Sequence, residues 1–158
     1  MDFAPRNADE QKLAAALAAE FGRVDVERVV SGRGLTHIHR LLFPHTCAST
    51  EATDHLPAAI TQGALEGGCP HCTRTVEVFV SAYGAAAGNL ALTVLSTGGM
   101  YLGGGIAPRI LPALRWPIFM QAFQNKSPMD ALITRIPVKV ILNPGAGLLG
   151  AATFALSH

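Results

Sequence analysis

At 158 residues, with 49% hydrophobic and 15% charged side chains, the chain has length for one domain or one lobe with a real core, and its apolar excess suits a piece that buries surface against something else. A formal charge of +1, with no basic run, excludes an electrostatic case for nucleic acid or a membrane surface. The three cysteines cannot all pair within one chain and make no secreted disulfide framework. The opening Met1-Asp2-Phe3-Ala4-Pro5 also lacks a signal-peptide pattern, so a cytoplasmic location is the expectation.

After a short extended entry, Asn7 is placed to cap a helix, with Glu10 three positions on as in a capping box. Leu13, Leu17 and Phe21 fall at helical spacing and Gly22 closes the element. A second short helix is expected from Asp25 through Glu27, Arg28, Val29 and Val30 to Ser31, broken by Gly32 and Gly34. Leu35, Ile38, Leu41 and Leu42 outline another helix. The polar segment from Phe43 to Leu56 reads as a surface loop, and Ala58 to Leu65 as a brief helix ended by Gly67-Gly68.

Pro70, a favoured first-turn residue, opens the longest helix. Val76, Phe79, Tyr83, Ala87, Leu90 and Val94 give it one apolar stripe that runs on to Gly98-Gly99. Within it, Val78 to Leu95 carries no charge and contains Gly84-x-x-x-Gly88. The segment is too rich in alanine, serine and threonine to insert in a bilayer, so the two glycines are expected to mark close approach to a neighbouring element.

Met100 to Leu102 reads as a strand leading into Gly103-Gly104-Gly105-Ile106-Ala107-Pro108-Arg109, followed by a helix carrying Ile110, Leu111 and Leu114. Trp116 to Phe123 continues helical packing despite Pro117, and Pro128 starts a short turn. Val138 to Leu142 is the second clear strand, and Asn143-Pro144-Gly145-Ala146-Gly147 leads to a small-residue helix from Leu148 to about Leu156. Strands separated by helices belong in a parallel sheet with the glycine turns gathered at one edge, where open α/β sheets bind ligands. Two strands alone make a poor sheet, which points to missing ones.

Cys69-Pro70-His71-Cys72 offers two thiolates, with His45 or Cys47 as further candidates, yet there is only one such pair and Pro70 puts it on a helix's first turn. No metal set is expected. His37 and His39 lie two apart on a helix, so they point to different faces, and neither has an evident partner.

Three runs in order carry a resemblance: Glu27-Arg28-Val29-Val30-Ser31-Gly32-Arg33-Gly34-Leu35, Gly103-Gly104-Gly105-Ile106-Ala107-Pro108-Arg109, and Gly147-Leu148-Leu149-Gly150-Ala151-Ala152. Together they resemble bacterial glucokinase, of the actin-like, hexokinase-type ATPase fold. Met1-Asp2-Phe3-Ala4-Pro5 is similar to the stretch that follows that family's Glu-Gly-Gly-His sugar motif. The resemblance implies an α/β fold class: a helix-dominated part of the large lobe with two clear parallel strands, as a single domain over 1–158.

It further implies ATP-dependent phosphorylation of glucose to glucose 6-phosphate in glycolysis. Glu27 would contact sugar, since a carboxylate accepts hydrogen bonds from neighbouring hydroxyls. Gly103, Gly104, Gly105 and Ile106 would meet the nucleotide, with Gly145 and Gly147 lining the same cleft from the second strand. ATP and Mg²⁺ would be the cofactors. No catalytic residue is expected within the chain, because the family's phosphate loop and catalytic aspartate precede the matched region. The implied partners are glucose and a missing N-terminal lobe or another protomer, with a homodimer as one arrangement.

Other readings are a non-catalytic lobe that binds nucleotide or sugar, a truncated structural lobe, and a dinucleotide enzyme. The last needs G-x-G-x-x-G, and Gly103-Gly104-Gly105-Ile106-Ala107-Pro108 lacks its third glycine. Arg109 could approach phosphate, but an arginine after Pro108 reads more simply as a solvated helix residue.

Overall fold

The computed structural model describes residues 1–44 and 56–157. Most of the expected Phe43–Leu56 loop, with His45 and Cys47, lies outside the described residues. The order is α1 (Ala8–Phe21), a 3₁₀ turn (Val26–Arg28), α2 (Gly32–Leu42), α3 (Leu56–Leu65), α4 (Pro70–Thr93) and β1 (Met100–Leu102). Then follow α5 (Ile106–Arg109), α6 (Leu111–Leu114), α7 (Pro117–Gln124), α8 (Asp130–Ile133), β2 (Val138–Val140) and α9 (Ala146–Ser157). The strands pair in parallel, Met100 opposite Val138 and Leu102 opposite Val140.

Helix α4 is the central post, with α2, α3 and α7 packed on it. Its glycines do what their spacing predicts. A Cβ on Gly84 would lie 2.3 Å from the Phe119 carbonyl oxygen, and one on Gly88 2.4 Å from that of Phe123. Both obstacles are backbone of α7, so only glycine lets the helices meet this closely. Phe79, Tyr83 and Phe119 continue the contact as edge-to-face pairs at 6.1 and 6.0 Å. No helix among the described residues is long and apolar enough to cross a membrane.

Several local expectations change. Asn7 caps α1 through Glu10 N–H at 2.9 Å, but the Glu10 carboxylate reaches one residue further back, accepting from Arg6 N–H at 2.8 Å and pairing with its guanidinium. That pair lets Glu10 be fully buried. Gly32 and Gly34 do not break a helix; they open α2, with Ser31 as its cap accepting from Gly34 N–H at 3.0 Å. Helix α4 stops at Thr93, short of Gly98: Leu95 turns left-handed at φ +50° and Ser96 N–H closes the last turn on Ala91 O at 3.0 Å, with Leu90 and Val94 47% and 61% exposed.

The apolar run after the glycine turn divides into α5 and α6. Pro117 begins α7 at the one place where its missing N–H costs nothing. Strand β2 ends at Val140, two residues before its apolar run does. Cys69 caps α4 through its sulfur, which accepts from Cys72 N–H at 3.4 Å, while the Cys72 side chain is buried.

His39 has a partner that sequence did not reveal. The Thr75 hydroxyl donates to His71 O at 2.8 Å and so accepts from His39 Nδ1 at 2.9 Å, tying α2 to α4 in the core. Burial, and secondarily the nearby His71, holds the His39 pKa below its ordinary 6.5.

Two outcomes follow from this packing. Gly84→Ala will lower stability by about 1–3 kcal/mol net of the helix propensity that alanine adds. Gly98→Ala, with no atom within 4 Å of the added Cβ, will change it little; urea unfolding of both variants checks the contrast. Second, the unfolded chain binds a proton at His39 that the folded chain refuses. Stability is therefore complete above pH 6.5 and falls as the pH drops below it. The slope is at most about 1.4 kcal/mol per pH unit for one proton. Unfolding curves from pH 7.5 to 5.5 will show the loss, and His39→Gln will flatten it.

Candidate functional site

Glu27 stands on a turn clamped from three sides. The Asp25 carboxylate accepts from Arg28 N–H at 2.9 Å and starts the 3₁₀ turn. The first residues of the chain lie along it: Phe3 N–H donates to Val24 O at 3.0 Å and Val26 N–H to Met1 O at 3.1 Å. From α2, His37 donates through Nδ1 to the Arg28 carbonyl at 3.0 Å, since a carbonyl can only accept. The Arg28 guanidinium lies 4.0 Å over the Phe21 ring.

Gly34 completes the clamp. A Cβ there would sit 1.9 Å from Val29 O, so glycine is what allows α2 to begin directly against the turn. The Glu27 carboxylate is exposed and accepts no hydrogen bond from the described residues. With Asp25, Arg28, Ser31, Arg33 and His37 it lines a concavity of about 240 Å³. Two carboxylates, a hydroxyl and an imidazole around one small polar hollow can fix a ligand rich in hydroxyls.

A second concavity, of about 580 Å³, lies on the other side of the start of α2. Gly32 and Leu35 form one wall, Pro57, Thr61 and Leu65 of α3 another, and Gly105, Ile106, Arg109 and Ile110 a third. Its mainly apolar lining suits a flat ring system, and Arg109 supplies one cation. Ser31 therefore faces the first hollow and the adjoining Gly32 the second.

The candidate glycines separate into groups. Gly105 and Ile106 reach the larger concavity. Gly104, at φ +91°, makes the reversal after β1, and Gly103 packs near Ile141. Gly145 and Gly147 follow β2 at the same end of the parallel sheet but line neither concavity. The Gly145 N–H is taken by Asn143 Oδ1 at 2.9 Å. Among the described residues no group of three or more His, Cys, Asp or Glu could hold a metal ion.

Sequence reasoning missed two contributors: helix α3 forms a whole wall, and His37 holds the Glu27 turn. Arg109, weighed as a phosphate contact and read as solvated, is exposed and lines the larger concavity. A polar residue nine positions after Arg28, on the helix that follows its turn, is the only signal that could have pointed to His37.

The glucokinase family model matches residues 1–158. A glucokinase of Synechocystis sp. is 42% identical over 98% of this chain and 49% of its own length. That of Photorhabdus laumondii is 36% identical over 98% of this chain and 47% of its own. A crystal structure of a glucokinase from an Antarctic psychrotroph superposes with a TM-score of 0.83 at 31% identity, covering 100% of this chain and 48% of that one. The chain thus spans about half the length of the curated relatives it matches. With the family model matched from first residue to last and the fold shared with a solved member, this chain belongs to the glucokinase family.

Proposed function

We propose that residues 1–158 form, as one domain, the C-terminal lobe portion of a cytoplasmic glucokinase that transfers the γ-phosphoryl group of ATP to the 6-hydroxyl of glucose. The observation that carries this reading is the pair of hollows meeting at the start of α2, one polar around Glu27 and one apolar beside Gly105 and Ile106, in a chain matched throughout by the family model. A sugar and a nucleotide need two such neighbouring surfaces, because phosphoryl transfer depends mainly on alignment of donor and acceptor.

In this proposal Glu27 accepts hydrogen bonds from adjacent sugar hydroxyls, with His37 and Asp25 holding its turn in place. The adenosine of ATP lies in the larger hollow against Ile106, Leu35 and α3, with Gly105 leaving room for it and Arg109 facing its phosphates. Gly103, Gly104, Gly145 and Gly147 shape the turns at that end of the sheet. Mg²⁺ arrives with the nucleotide as part of the substrate.

The sugar 6-oxygen attacks the γ-phosphorus, the bond to the ADP oxygen breaks, and a base accepts the hydroxyl proton. That base and the phosphate loop are assigned to the other half of the fold. Closure of both halves around the sugar excludes water from the transfer, and two assembled protomers would form the homodimer. A lobe that binds without catalysis is the second reading, favoured because the groups beside the exposed Glu27 are already engaged in holding the turn: Asp25 accepts from Arg28 N–H and His37 Nδ1 donates to the Arg28 carbonyl.

The test is glucose-dependent ADP formation by this chain alone and together with the half of the Synechocystis glucokinase that lies outside the matched segment. The chain alone will give no turnover above background, and the assembled pair will. Glu27→Gln in the pair will lower kcat/KM for glucose about tenfold to a hundredfold, the worth of charge-assisted hydrogen bonds. Turnover by the chain alone would overturn the assignment of the base to the other half.

A further inference from the structure

Cys69-Pro70-His71-Cys72 takes no part in the site described above, since neither cysteine lines either concavity. Both cysteines are thiols, and their settings differ. Cys69 is the N-cap of α4 and partly exposed, whereas Cys72, in the first turn, is fully buried. The Cys69 sulfur accepts from Cys72 N–H at 3.4 Å, at the head of a 24-residue helix whose first turn holds no acidic residue. A backbone N–H and a helix N-terminus both favour a sulfur that carries negative charge, and the thiolate is the form that attacks disulfides.

The fold also brings the pair together. Residues three apart at a helix start have Cα atoms about 5 Å apart, inside the span of about 4.4–6.8 Å that a disulfide bridges. Pro70 stiffens the backbone between them at a position where its missing N–H costs nothing. From α3, Gly63 faces both cysteines: a Cβ there would lie 3.2 Å from Cys72 Sγ and 3.6 Å from Cys69 Cβ. The two side chains therefore meet over one glycine, whose carbonyl accepts from Cys69 N–H at 3.3 Å. A side chain at position 63 would press on the Cys72 sulfur.

We propose that Cys69 and Cys72 form a thiol–disulfide exchange site whose co-reactant is a small-molecule disulfide. The Cys69 thiolate attacks one sulfur of that molecule, its S–S bond breaks, and one thiolate leaves. Cys72 then gives up its proton and attacks the Cys69 sulfur, and the second thiolate leaves. Two protons and two electrons have passed from the protein to the small molecule, which departs as two thiols, and a Cys69–Cys72 bond remains. Exposure sets the order, because Cys69 reaches the surface and Cys72 does not. A bond closing so short a loop constrains the unfolded chain little, so its worth lies in opening and closing rather than in permanent cross-linking.

The whole chain is the test material and glutathione disulfide the probe. Incubation will lower the intact mass by two hydrogens, and dithiothreitol will restore it. Cleavage after Glu66 and Glu77 releases Cys69 and Cys72 on one peptide without Cys47, and the new bond will lie inside that peptide. Cys72→Ser will stop the reaction at a single glutathione adduct on Cys69. Cys69→Ser, which keeps a favoured cap residue, will form neither the bond nor an adduct at Cys72. The mass and the peptide are read on the unmodified sequence, so a variant that misfolds leaves the test intact. Three results would each overturn the proposal: no loss of hydrogens, a bond from Cys47 to either cysteine, or zinc held by the pair that blocks oxidation until a chelator removes it.

Discussion

Everything in this fold is referred to the approach of α4 and α7 through Gly84 and Gly88. Where helices meet with side chains between them, axes stay 8–10 Å apart; here the carbonyls of Phe119 and Phe123 occupy the space where methyl groups would be. Lys126 crosses the same seam, its stem 2.7 Å from a Gly88 Cβ position and its ammonium donating to Ala85 O at 3.1 Å. Burial, with Arg6 nearby, lowers its pKa. The seam fixes α7 against the post on which α2, α3 and α6 also rest.

From that post the two hollows take their shape. The His39–Thr75 hydrogen bond anchors the buried face of α2 to α4, and Gly34 brings the helix start against Val29. The start of α2 is therefore held at both ends of a short lever: by the core at His39, and by the Glu27 turn at Gly34 and His37. A shift of α2 would alter both hollows together, because Ser31 and Gly32 are consecutive residues facing opposite ways. On the proposed reading, that shared element is how the sugar and nucleotide surfaces keep a constant spacing.

Elements whose signal is local were legible in the sequence. The Asn7 cap, the Pro70 start of α4, both strands and the Gly84-x-x-x-Gly88 contact follow from residue type and spacing, and the structure bears them out. What failed depended on distance along the chain. Gly32 and Gly34 read as helix breakers because propensity counts only the backbone's freedom, whereas Val29 supplies a tertiary reason for a glycine inside a helix. Thr75 lies 36 residues from His39, so no periodicity joins them. The apolar spacing on α4 continues to Val94, past the last helical residue Thr93, and spacing alone carries no sign of the backbone reversal at the left-handed Leu95. At the site, Glu27 stood out only through resemblance to a family, since an exposed glutamate beside an arginine carries no chemistry of its own. The wall that α3 builds had no sequence signature at all.

The composition that first suggested incompleteness can now be located. The core itself is not short of apolar contacts: Leu13, Ile38, Phe79, Ile110 and Phe123 are fully enclosed or nearly so around α4. Much of the excess lies in α9, whose leucines face water, along the hollow formed by Leu102, Val138, Val140 and Leu142 beside the sheet, and at Leu90, Val94 and Leu95 around the end of α4. A chain with a closed core and a localised open surface can fold before it assembles, because the buried cluster does not depend on the uncovered one. Division of labour follows from the same geometry. The α4-centred body sets the positions of the two hollows, while the sheet and α9 keep apolar surface in solvent.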